Sequence, residues 1–109
     1  MTQIEIDTVL NEMVRKIVER FQPEKIILFG SYARGEFTED SDFDFLIVMP
    51  VENSQRQKAN EIDLALADRT IPIDIIVVTP EQYESRKNLI GTIIHVAAHE
   101  GRIVYDRAA

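Results

Sequence analysis

The chain has 109 residues, 45% of them hydrophobic, no cysteine and a formal net charge of −7. This is one domain's length, with enough apolar material for a core; it excludes disulfides and thiolate zinc sites. The acidic balance argues against free DNA or RNA as a partner, since binding either needs clustered Lys and Arg, whereas a basic protein fits. Residues 4–21 read as an amphipathic helix, with Ile6, Val9, Leu10, Met13, Ile17 and Phe21 at three- and four-residue steps. Pro23 stops it. Lys25 to Phe29 predicts a buried strand ending at Gly30. Ser31 is expected to cap a short helical turn through Arg34 that Gly35 ends.

A polar loop over 36–41 leads to a second strand, Phe43 to Met49, closed by Pro50. Ser54 to Ala67 predicts a second long helix, and Ile71 to Val78 a third strand. Thr79-Pro80 starts a helical turn reaching about Arg86. A helix over 89–100 and a last strand over 102–105 complete an α-β-α-β-α-β-α-α-β order. The whole of 1–109 is expected to be a single α/β domain. The opening residues Met1 to Glu5 lack an apolar signal core, and no apolar run approaches the roughly 18 residues of a membrane span. The expected address is the cytoplasm, with no membrane partner.

Chemistry concentrates at two places. Gly30-Ser31 joins a strand to a helical turn, where glycine permits close backbone approach and free amides with a hydroxyl can donate to phosphate. Arg34, one turn on, adds a cation. Ten residues later come Asp42 and Asp44. On a strand, alternate residues share a face with Cα atoms about 6.5 Å apart. Two carboxylates so placed repel unless a hard cation neutralises them, and Mg²⁺ takes one or two carboxylates plus substrate phosphates. Asp74 stands in the apolar run of Ile73 and Ile75 to Val78, where a buried charge is expensive unless it is paired, hydrogen-bonded or bound to metal. Placed beside Asp42 and Asp44 it makes a metal and general-base site; otherwise Arg34, Arg69 or Lys25 could pair with it.

Other motifs fail. No Gly-Lys pair supports a P-loop. Asp40-x-Asp42-x-Asp44 begins like a calcium loop, but Phe45 and Val51 stand where its glycine and closing glutamate belong. His95 and His99 share a helix face, yet Val96 stands where a zinc-protease glutamate would be.

The segment LFGSYARGEFTEDSDFDFLIV, Leu28 to Val48, with Asp74 on a later strand, resembles the minimal nucleotidyltransferases of the DNA polymerase β-type superfamily. The closing HEGRIVYD, His99 to Asp106, is also similar. The resemblance implies the polymerase β-like fold, a small mixed sheet of three or four strands flanked by helices. It implies triphosphate binding by Gly30 and Ser31 with Arg34 in support. Asp42 and Asp44 would ligate Mg²⁺, in a two-metal site, and Asp74 would be a further ligand or the base. Many members are antitoxins beside a HEPN-type ribonuclease toxin and resemble enzymes that move AMP from ATP onto a toxin tyrosine. Two other readings stay open: an antitoxin that acts by binding alone, and transfer to a small molecule or an RNA end.

Overall fold

The structure, a computed structural model, describes residues 1–109. Helix α1 (Gln3–Phe21) opens on a capping box: Thr2 Oγ1 accepts from the Glu5 amide while the Glu5 carboxylate accepts from the Thr2 amide. Its apolar stripe, Ile6, Leu10, Met13 and Ile17, is buried. The chain leaves α1 through Gln22, whose left-handed φ of 51° ends the helix. Then follow β1 (Lys25–Phe29), the single turn α2 (Ser31–Arg34), β2 (Phe43–Val48), α3 (Gln55–Ala65), β3 (Ile73–Val78), α4 (Pro80–Arg86), α5 (Ile93–Glu100) and β4 (Arg102–Asp106).

The four strands form one mixed sheet in the order β3-β2-β1-β4. β1 runs antiparallel to β2 and β4, while β2 and β3 are parallel and joined through α3. A parallel pair cannot close with a tight hairpin, so the crossover helix is a requirement of the topology. Both sheet faces are covered. Ile26 and Leu28 of β1, Phe43, Phe45 and Ile47 of β2, and Val77 of β3 pack with α1 and α3. Ile27 and Phe29, Leu46 and Val48, and Val78 pack with Tyr83 of α4 and Ile94 and Ala97 of α5. Burial on both faces explains why the first two strands read as nearly unbroken apolar runs. Each such side chain contributes roughly 1.5–3 kcal/mol on removal from water.

The α5–β4 corner closes tightly. A Cβ at Gly101 would strike Ala97 O, Ile27 Cγ2 and Leu28 O, so only glycine lets α5 turn directly into β4 against β1. No helix is long and apolar enough to cross a membrane.

The elements differ from the sequence expectations mainly at their ends. The first strand pair and α1 lie within a residue or so of the expected bounds. The last helix starts at Ile93, not at residue 89, because Thr92 caps it by accepting from the His95 amide at 3.1 Å.

Candidate active site

Strand register assembles the carboxylates. Asp44 of β2 stands directly opposite Asp74 of β3 in the parallel pair, and opposite Phe29 of β1 on its other side. Partners in register on neighbouring strands share a face. Asp42 immediately precedes β2, two residues from Asp44 and on the same alternation. Phe43 between them points to the opposite face, where it is fully buried. The Phe43 amide donates to Pro72 O at 2.9 Å, so the ladder between the two segments already holds at Asp42. All three acids therefore lie on the side that carries α4 and α5, at the end of the sheet where β1 runs into Gly30.

Electrostatics follow from this crowding. Partial burial pushes the Asp44 carboxyl above its usual range, the charges of Asp74 and then Asp42 push the same way, and Arg34 opposes them. The fully ionised cluster is strained in the absence of a cation. That is the donor chemistry of a hard divalent ion: two carboxylates per ion, with substrate phosphates completing the shell. No three His, Cys, Asp or Glu side chains converge into a preformed cage.

The glycine-serine turn meets the carboxylates directly. Gly30 has φ 78° and ψ −157°, and a Cβ there would overlap Asp44 Oδ2. Glycine is required for both reasons. It also takes the cap position of α2, with no side-chain cap bond, so the expected Ser31 cap is corrected. Ser31 instead begins the helical turn, and its hydroxyl is left out of the cap. The first amides of such a turn have no intrahelical acceptor. Arg34, exposed, pairs with Glu36 at 3.3 Å and lies near enough to Asp44 to lower its pKa.

The expectation that Asp74 is a buried charge is also corrected. β3 is an edge strand, paired only with β2, and Asp74 is exposed on it. Its solvation removes the cost that a central strand would impose. None of the cations named as its alternatives bonds to it. Arg34 goes to Glu36 and Arg69 to Asp63, while Lys25 sits over the Tyr83 ring.

One support escaped the sequence reading. Tyr32 stacks on Phe37 with centroids 4.6 Å apart and meets Phe43 edge-on, also at 4.6 Å. This aromatic clamp pins α2 and the 36–41 loop against the strand that carries Asp44. Aromatic residues at 32, 37 and 43 were the available signal, but irregular spacing across a loop gives no period to read. His95 and His99 stack with ring centroids 4.3 Å apart, and His99 Nε2 lies 3.0 Å from Asn88 Oδ1.

Comparison with known proteins places this geometry. The family model described as nucleotidyltransferase domain matches residues 10–99. The chain is 35% identical over 101 residues to a Methanocaldococcus jannaschii protein assigned provisionally as a protein adenylyltransferase, covering 88% of this chain and 94% of that one. Its fold is similar to a Sulfolobus solfataricus protein assigned provisionally as a nucleotidyltransferase: TM-score 0.68, 21% identity, 97% of this chain and 85% of the other. It is also similar in fold to the toxin–antitoxin pair MntA–HpeT, crystallised with two aspartates two positions apart replaced by glutamate: TM-score 0.59, 14% identity, 88% of this chain and 72% of the other. Strand order, acid placement and these likenesses converge: the chain belongs to the nucleotidyltransferase domain family.

Proposed function

We propose that the chain is an antitoxin that transfers AMP from ATP to a tyrosine of a HEPN-type ribonuclease toxin, with Mg²⁺, in the cytoplasm. The observation that carries the reading is the register of Asp44 with Asp74 beside Asp42, with Gly30 against the Asp44 carboxylate. In this reading Gly30 and Ser31 hold the triphosphate through backbone amides and the free hydroxyl. Arg34 exchanges Glu36 for phosphate oxygen. Asp42 and Asp44 would hold Mg²⁺, which when bound neutralises the triphosphate and polarises the α-phosphorus.

Asp74 is exposed at the sheet edge, within reach of an incoming protein. It takes the proton from the acceptor hydroxyl. The oxygen attacks the α-phosphorus in line, the bond to the β-phosphate breaks, and pyrophosphate leaves. Most of the acceleration comes from positioning and charge complementarity. The relative named as a protein adenylyltransferase and the toxin–antitoxin fold neighbour support the choice of acceptor.

The test is to incubate the chain with Mg²⁺, each ribonucleoside triphosphate in turn, and the product of the adjacent gene, then weigh both proteins by mass spectrometry. The expected result is whole AMP units on the neighbour with ATP. An unmodified neighbour together with full loss of toxin activity would assign neutralisation to binding alone.

A further inference from the structure

The two edges of the sheet differ. β4 pairs with β1 through a register shift between Ile26 and Ile27, a bulge-like break of the kind that turns an edge away from further pairing. β3 keeps an unbroken register with β2 from Ile73 to Val78. In a parallel pair, alternate residues of a strand bond to the neighbouring strand. The Phe43 amide donates to Pro72 O at 2.9 Å and the Met49 amide to Val78 O at 3.0 Å, so Pro72, Asp74, Ile76 and Val78 face β2. Ile73, Ile75 and Val77 therefore direct their backbone N–H and C=O groups to the free edge. One end of that edge is stopped: Gln55 Nε2 donates to Val77 O at 2.9 Å and to Gln82 Oε1 at 2.7 Å. The outward groups of Ile73 and Ile75 meet no partner in the chain.

An unpaired edge is a template for an added strand. Asp74 sits between the two open residues and is exposed on the acid face. An antiparallel strand bonded to Ile73 and Ile75 puts one residue directly opposite Asp74, at a non-hydrogen-bonded position with Cα atoms about 4.5 Å apart. Both side chains then rise from the same face. A second copy of this chain does not suit the place. Pairing β3 with β3 about the same open residues sets Asp74 against Asp74, and like charges directly opposite destabilise a sheet. A neutral hydroxyl side chain meets no such penalty and lies beside the proposed base. The half-buried Ile73 and Ile75 offer apolar contact to the residues on either side of it.

We infer that the open edge of β3 at Ile73 and Ile75 binds the acceptor protein by strand addition: an extended segment of the acceptor pairs with these two residues and presents its hydroxyl side chain opposite Asp74. This rests on the transfer reading above and adds to it how the acceptor is held. The probe is the product of the adjacent gene, with Mg²⁺ and a non-hydrolysable ATP analogue. Amide exchange of the wild-type chain is followed residue by residue by NMR, with and without that protein, and transfer is measured separately with ATP. An Ile75→Pro variant removes one outward donor and keeps the bonds to β2, since proline is tolerated on an edge strand where its N–H would face solvent.

On binding, exchange at Ile73 and Ile75 should slow at least about tenfold, while the outward amides of β4 keep their free rates. Ile75→Pro should raise Kd and KM for the acceptor about tenfold, with ATP-analogue affinity near wild type. The wild-type exchange measurement decides the matter even if the proline variant does not fold. Slowed exchange at both residues without any AMP transfer supports the strand site, and the transfer reading alone fails. AMP transfer with unchanged exchange at both residues overturns the inference and leaves the transfer reading intact. It is equally overturned by unchanged acceptor affinity in a folded Ile75→Pro, by protection confined to β4, or by no binding to wild type. So is it by protection of these amides that grows with the concentration of the enzyme alone, which would assign the edge to a second copy.

Discussion

Gly30 and Asp44 constrain each other. Gly30→Ala places a methyl group onto Asp44 Oδ2 at a φ of 78°. A backbone with ψ of −157° at that φ is open essentially to glycine alone and costs another residue about 1–3 kcal/mol, and displacement of the carboxylate is expected to lower transfer at least about 100-fold. Urea denaturation and single-turnover transfer measure the two effects separately. Asp44 also gives a pH prediction. Its pKa is raised in the folded chain by burial and by its acidic neighbours. A raised carboxyl pKa means that the folded state holds its proton more tightly than the unfolded one. The stability that this supplies is complete below the unfolded pKa and is lost as pH rises through the folded one. At neutral pH, Asp44→Asn should therefore raise the Tm of the ligand-free protein while abolishing transfer.

At the scale of elements, the α4–α5 corner depends on one hydroxyl. Thr92→Ala removes the α5 cap and the bond to Leu89 O. It should cost about 1 kcal/mol, a fall in Tm of about 4–8 °C for a domain of this size, measurable by calorimetry. The same elements show what the sequence reveals. Phe43 reads correctly as core because alternation around it leaves no other face for the two aspartates. The pairing of the second and third strands is legible in a parallel crossover of the right length. Three details are not. Whether β3 is central or at the edge depends on strand order, which apolar content does not encode, and so the exposure of Asp74 is invisible. Whether Gly30 or Ser31 caps α2 turns on a backbone dihedral that both residues could serve. The start of α5 is masked because Leu89 and Ile90 stand four residues before Ile93 and Ile94, a helical spacing that the structure does not use.

For the molecule as a whole, charge and ligand linkage make the remaining predictions. A net charge of −7 with an acidic rim at the site predicts that the rate of association with a basic partner falls as salt rises, while the dissociation rate changes less. Stopped-flow mixing at several ionic strengths checks this. Mg²⁺ and ATP analogue together should stabilise the fold more than either alone, by about 2.7 kcal/mol at a hundredfold excess over Kd. In Asp42→Asn the joint effect should shrink towards that of the analogue alone, since one of the two proposed Mg²⁺ ligands is lost. The most direct measurement of the central claim is the ribonuclease activity of the proposed toxin partner after incubation with Mg²⁺, ATP and either wild type or the Asp42→Ala, Asp44→Ala double variant. If the carboxylates do the chemistry, wild type silences the partner only when ATP is present, and the double variant leaves it active. Equal silencing by both proteins would contradict the account.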